Sequence, residues 1–142
     1  RVVPLDAFFL APGRVVKKPT ELLTAVVFSK PAPDFVGHFR KSGPRPALEI
    51  STVSIGIGGN FSKGIFRNVR VAMGAVAPTP LRARGVEAAL EGQRLDSEAI
   101  RAAVTAVGVD VKPINDVRAS AWYRNHLARV FTEEVLNHVL GN

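Results

Sequence analysis

The apolar residues of this chain follow two different periods, and the change between them restricts the fold more than any other feature. Phe35, Gly37 and Phe39 alternate with Val36, His38 and Arg40, and Val53, Ile55 and Ile57 alternate with Thr52, Ser54 and Gly56. Val69, Val71, Met73 and Ala75 then recur at every second position. That is the spacing of strands. Beyond Thr79 the apolar residues recur every third or fourth position, the spacing of helices. Three strands followed by three helices predict an α+β domain, a three-stranded antiparallel sheet with the helices packed on one face. Gly43-Pro44-Arg45-Pro46 separates the first two strands, and Gly58-Gly59-Asn60 with Lys63-Gly64 frames a turn between the second and third.

The helices carry their own stop and start signals. Thr79 and Pro80 suit the cap and first turn of a helix that holds Val86, Ala89 and Leu90 on one face and ends at Gly92. Asp96 can cap a second helix, with Leu95 and Ile100 as a hydrophobic staple, and Ala103, Val104 and Val107 lead to a stop at Gly108. After Pro113, Asn115 or Asp116 can cap a third and longest helix, about Asp116 to Leu140. Its stripe of Val117, Ala121, Ala128, Phe131, Val135 and Val139 would face the sheet.

Lys30-Pro31-Ala32-Pro33-Asp34 can continue neither a helix nor a central strand, so a boundary falls there. Upstream, Pro12-Gly13 marks a tight turn, Pro19-Thr20-Glu21-Leu22-Leu23 a bend, and Leu23 to Phe28 a short apolar run suited to a buried strand. Residues 1–33 are too few for a core of their own. The chain begins at Arg1 without an initiator methionine, the expectation being a processed product or a piece of something longer.

Lys and Arg number 19 against 12 Asp and Glu, a formal net charge of +7 that attracts anions without choosing among them. The basic residues run from Arg1 to Arg129 with Lys17-Lys18 and Arg40-Lys41 as the adjacent pairs, which disfavours a nucleic-acid reader. A basic module that contacts nucleic acid or an acidic protein stands as the alternative function. With no cysteine, thiolate clusters and cysteine nucleophiles are excluded. No apolar run reaches the roughly 20 residues of a membrane span, and the first residues lack a signal-peptide pattern, so the expectation is a cytoplasmic chain.

Self-contained catalysis finds little support. His126 and His138 lie twelve apart on one helix, roughly 18 Å of rise, and cannot share a metal with each other. No Gly-x-Ser-x-Gly elbow occurs. Glu87 with Glu91, and Glu133 with Glu134, read as solvated helix faces. Gly56-Ile57-Gly58-Gly59-Asn60-Phe61 invites a phosphate-loop reading, but its third glycine position is Phe61 and the chain turns into a strand rather than a helix.

Three stretches in combination carry more. They are Phe8-Phe9-Leu10-Ala11-Pro12-Gly13 with Pro19-Thr20-Glu21-Leu22-Leu23; Phe39-Arg40-Lys41-Ser42-Gly43-Pro44-Arg45 with Glu49-Ile50; and Arg70 to Ala83 with Pro113 to Arg124. Together they resemble the flavoprotein component of the molybdenum hydroxylases, the family of xanthine dehydrogenases, carbon monoxide dehydrogenases and related aldehyde or heterocycle oxidoreductases. Ser29 stands where that family usually has proline, and Glu49 where it usually has aspartate.

The resemblance implies that residues 34–142 form the C-terminal domain of the flavin component and residues 1–33 the last turn and strand of its FAD-binding domain. It implies electron transfer from iron–sulfur clusters through FAD to NAD or oxygen, with molybdopterin on a molybdenum-binding component and the clusters on an iron–sulfur component. It also implies that Leu22 and Leu23 line the isoalloxazine and that Lys41 reaches the ring. A cation there favours the reduced ring, and apolar walls exclude water. Arg45, Asp116, Arg118, Tyr123 and Arg124 match the family as well and are read as a salt-bridged scaffold. The glycine loops that hold the diphosphate lie in the part of the family pattern this chain lacks, so the chain alone is expected to fold without retaining FAD or turning over substrate.

Overall fold

The computed structural model describes residues 1–43, 45 and 50–141; Glu49 and the two prolines of the Gly43-Pro44-Arg45-Pro46 break lie outside the described residues. Strand β1 (Phe9–Ala11) and strand β2 (Arg14–Val15) form a small hairpin at the Pro12-Gly13 turn. The main sheet is antiparallel, with β3 (Phe35–Ser42), β4 (Val53–Ser62), β5 (Ile65–Gly74) and β6 (Leu81–Arg82) in that order. Helices α1 (Arg84–Leu90), α2 (Ser97–Asp110) and α3 (Ala121–Leu140) follow. The α+β class therefore holds, with a fourth strand added to the three expected.

That fourth strand replaces the expected start of the first helix. Leu81 and Arg82 pair with Met73 and Ala72, so the helix begins only at Arg84 rather than near Thr79 and Pro80. Its first turn has no side-chain cap of its own. Asp110, at the end of α2, accepts from the backbone N–H groups of Gly85 and Val86 at 3.1 Å each. This is a cap supplied from a distant part of the sequence, and it satisfies donors that the helix start leaves orphaned. Accordingly α2 runs past Gly108 to Asp110.

Asp96 caps α2 as expected, accepting from the N–H groups of Glu98 and Ala99 at 3.0 Å. The Leu95 and Ile100 staple is buried. Helix α3 starts at Ala121 rather than near Asp116, with Ser120 Oγ accepting from Tyr123 N–H at 3.1 Å. Asn115 Oδ1 accepts from Ala121 N–H. Asp116 instead folds the preceding loop by accepting from the N–H groups of Arg118 and Ala119. Val117 is consequently outside the helix and fully exposed, whereas Ala128, Phe131, Val135 and Val139 are buried as their spacing predicts.

The turn between β4 and β5 is Lys63-Gly64, both at positive φ (52° and 77°), the geometry of a tight hairpin. Gly58-Gly59-Asn60 lies within β4 rather than in that turn. A bulge in β5, where Asn68 has φ 51°, inserts one residue between the Asn60–Arg67 and Gly58–Arg70 pairs. It leaves both Phe66 and Val69 buried beside Val71 and Met73. Helix α3 packs on β3 and β4, α1 on β5, and α2 across α1 and α3. Among the described residues, no helix is long and apolar enough to cross a membrane.

Residues 23–28 do not form the buried strand their composition suggests. They have no regular structure, and among the described residues no backbone hydrogen bond forms from 22 to 31. Val26, Val27 and Phe28 are exposed. Among the described residues, no strand pairs with the segment to complete its hydrogen bonding.

Candidate functional site

Strand pairing divides the sheet into two unlike faces. Val53, Ile55 and Ile57 of β4 and Val71 and Met73 of β5 point toward the helices and are buried. On β3 the same side carries His38 and Arg40; Arg40 lies over the Phe131 ring of α3, 5.2 Å from its centroid, and pairs with Glu134 at 3.1 Å. The opposite side is crossed by three rows: Lys41, Ser54 and Gly74; Phe39, Gly56, Ala72 and Arg82; and Gly37, Gly58 and Arg70. The middle of that face is a floor of glycine, alanine and serine. Phe35 and Phe39 lie over it from β3: a Cβ at Gly58 would stand 2.6 Å from the Phe35 ring. Phe39 is exposed, and so is Lys41 at the end of its row. Such a face admits the close approach of a flat or broad surface, with a cation on one margin and aromatic edges beside it.

Alternation within each strand carried part of this arrangement: Gly37 shares a face with Phe39 and Lys41 in β3, and Gly56 and Gly58 share one with Ser54 in β4. Its meaning appears only when the strands are paired.

Of the three flavin-contact candidates, Lys41 therefore lies at the margin of the helix-free face. Leu22 and Leu23 stand outside the packed domain, 85% and 59% exposed, so they are not ordinary core residues. Just upstream, the chain is held by the ion pair of Arg1 with Glu21 at 2.8 Å. The Arg1 hydrogen bond and the Lys18 N–H together lower the Glu21 pKa to about 2.

The Gly56 to Asn60 backbone belongs to a strand paired on both sides, with β3 and with β5. Its amides serve the ladder and do not converge on a point, so this stretch is not a phosphate loop.

Two carboxylate groupings turn out to be structural. Glu87 and Glu91 are not a solvated pair: Glu87 is buried. Its carboxylate accepts from Val71 N–H at 2.9 Å and Arg82 Nε at 2.6 Å, while Glu91 accepts from the N–H groups of Asn68 and Val69. From α1 and the residue just past its end, they occupy donors along the edge of β5 that β6 is too short to reach. Burial by itself would raise the Glu87 pKa, but the Arg82 hydrogen bond, the Val71 N–H and the charges of Arg82 and Arg84 outweigh it and lower it. Glu91 is also lowered, by its two backbone N–H partners first and then by Arg70 and Arg67.

The second grouping gathers Asp116, Arg118 and Arg124. Buried Arg124 donates to the carbonyls of Thr52 and Ala75 and to Asp116 at 2.7 Å, and Arg118 donates to Asp116 at 2.6 Å. These bonds tie the start of β4, the end of β5 and the loop before α3 to one side chain, as a scaffold would. The Arg118 N–H, followed by the Arg124 and Arg118 side chains, holds the Asp116 carboxyl far below its usual range. Tyr123 is exposed beside this cluster. Sequence reasoning missed the contact of His38 with His138, whose ring centroids lie 3.9 Å apart across β3 and α3. No period links the two positions. Among the described residues there is no group of three or more metal-ligating side chains.

A sheet with one helix-covered and one bare face defines an α+β module. Residues 38–139 match the family model of the CO dehydrogenase flavoprotein C-terminal domain, and the chain belongs to that family. It is 32% identical to the xanthine dehydrogenase FAD-binding subunit of Escherichia coli O157:H7, the match covering 99% of this chain and 49% of that subunit. A solved carbon monoxide dehydrogenase from Hydrogenophaga pseudoflava, in a form lacking the Mo-pyranopterin moiety of its molybdenum cofactor, superposes with a TM-score of 0.85 at 30% identity, covering 96% of this chain and 47% of the other. The reconstituted CO dehydrogenase from Oligotropha carboxidovorans shares the fold, with a TM-score of 0.91 at 24% identity over 99% of this chain and 49% of the other. The chain thus spans about half the length of the relatives it matches.

Proposed function

We propose that this chain is the C-terminal part of the FAD-containing component of a cytoplasmic molybdenum hydroxylase, and that it closes the flavin site. On this reading residues 34–142 are the C-terminal domain and residues 1–33 the end of the FAD-binding domain. The partners are a molybdenum-binding component with molybdopterin and an iron–sulfur component. Bound FAD supplies the step between the iron–sulfur clusters and the final acceptor, NAD or oxygen.

The observation that carries the reading is the helix-free face of the sheet. A face of glycine, alanine and serine with a lysine at its margin is suited to lie against another domain and a flat ring, and residues 22–28 offer an exposed apolar segment without regular structure on the same chain. The residues present fit the ring and not the diphosphate. Leu22 and Leu23 can wall off water, and Lys41 can favour the negative charge gained on reduction. The β4 glycines cannot cradle a diphosphate, because their amides belong to the ladder.

The test uses the full-length flavin component. Lys41→Met should keep FAD near one per chain while lowering the flavin potential or slowing transfer to the acceptor, since removing a cation weakens the reduced state. The 142-residue chain purified alone should be colourless. Unchanged potentials and acceptor kinetics in the variant would remove Lys41 from the site, and a full-length component that never contains FAD would overturn the reading as a whole.

A further inference from the structure

The helix-free face of the sheet is not uniformly open. The Phe35 ring covers two of its glycines, since a Cβ at Gly37 would stand 3.2 Å from that ring and one at Gly58 2.6 Å. The Phe39 ring lies beside Gly56, 3.8 Å from where a Cβ would stand. Gly74 has no ring over it. Apart from its chain neighbours, a Cβ there would meet only Ser54 among the described residues, 2.5 Å from Oγ and 3.9 Å from the serine Cβ. Gly74 is not among the residues at positive φ, so the backbone does not require glycine at this position. What its missing side chain leaves room for is the Ser54 hydroxyl.

Ser54 is the register partner of both Lys41 and Gly74. Paired residues on adjacent antiparallel strands stand about 5 Å apart, and these three form the row that the two phenylalanines leave uncovered. Ser54 is half-buried, and its hydroxyl bonds no protein group among the described residues. A polar group partly withdrawn from water is ordinarily bonded within the protein. This one lies on the helix-free side, one strand from a lysine, without such a bond.

We infer that Ser54 is a second polar contact to the flavin ring, donating its hydroxyl hydrogen to the same polar edge that Lys41 approaches, and that Gly74 is glycine so that the hydroxyl keeps its orientation. The inference rests on the flavin reading proposed above. The two side chains divide the work: Lys41 supplies charge, which acts on the reduced ring, and Ser54 supplies a directed bond that fixes which edge of the ring meets the cation. A bond from a neutral donor is worth about three- to tenfold in affinity.

The experiment reconstitutes the full-length flavin component with FAD and reads the dissociation constant and the visible absorption spectrum. Ser54→Ala should weaken FAD binding about three- to tenfold and shift the flavin absorption bands. The melting temperature of the FAD-free component should stay unchanged, because no protein bond is lost. Gly74→Ala should have the same effect with the serine still present, since its Cβ turns the hydroxyl away and meets nothing else. Ser54→Thr, which keeps the hydroxyl, should restore both readouts. Wild-type affinity and spectrum in Ser54→Ala, with Lys41→Met still lowering the flavin potential, would overturn the inference and leave the flavin reading intact. A lower melting temperature of FAD-free Ser54→Ala would make the serine structural and overturn it as well. Wild-type behaviour of Gly74→Ala alone would overturn the role given to Gly74. A wild-type component that takes up no FAD would strike the flavin reading itself, and the inference with it.

Discussion

Residues 22–28 and residues 66–73 are similarly rich in apolar side chains and have opposite fates. Phe66, Val69, Val71 and Met73 are buried between β4 and the helices, whereas Leu22, Leu23, Val26, Val27 and Phe28 are exposed. The difference lies in neighbours. Strand β5 has β4 on one edge, and β6 with the Glu87 and Glu91 carboxylates on the other, and α1 packs on it. Among the described residues, the earlier segment has no strand beside it. An apolar run states that burial is favourable without stating against what, and a run left open in this way marks where another surface belongs.

The largest effect should come from the roofed region. Phe131→Ala removes a buried ring that also carries Arg40 on its face, and should lower stability by about 3–5 kcal/mol in denaturant unfolding. A loss below about 1 kcal/mol would mean that the helix roof is looser than its packing shows.

Next in size is the edge of β5. Glu87→Gln removes the charge that Arg82 and Arg84 face and weakens the acceptor for Val71 N–H, for about 1–3 kcal/mol. The same carboxylates set a pH dependence. Glu87, Glu91 and Asp116 are lowered in the folded chain, so their stabilisation is present above the ordinary carboxylate pKa and is lost as pH falls through the folded values. The melting temperature should therefore fall as pH drops below about 4.5, and the acid slope should be shallower in Glu87→Gln. Glu21 titrates near 2 in the other region, and its loss should appear as local loosening around Arg1 without moving the melting transition.

The smallest effect sharpens the comparison most. Val27→Ser with Phe28→Ser should leave the stability of this chain within about 0.5 kcal/mol, because exposed side chains lose little on replacement. In the full-length component the same pair should be clearly destabilising. Equal, small effects in both would show that residues 22–28 stay uncovered in the whole protein.

Much of the fold was legible in the sequence because it follows from local periodicity. Alternation located β3, β4 and β5, and Asp96 with its staple located α2. The errors fall where a distant partner decides. The chain at Leu81 and Arg82 became a strand because β5 had an open edge, and α1 started late because Asp110 supplies its cap. Helix α3 lost its first turn because Asp116 was taken by Arg118 and Arg124.

The candidate site divides in the same way. That Lys41 shares a face with Gly37 and Phe39, and Gly56 with Gly58, can be counted along each strand in the sequence. That they form a bare face depends on the register of three strands and on which side the helices choose. The sequence by itself determined the order of the three long strands and the three helices and the apolar period of each, since both depend on residues close together in the chain. Only the tertiary structure decided which acids cap a strand edge, which arginine is buried, and which apolar residues remain uncovered. Those outcomes depend on groups far apart in sequence that meet only after folding, and no local pattern encodes the meeting.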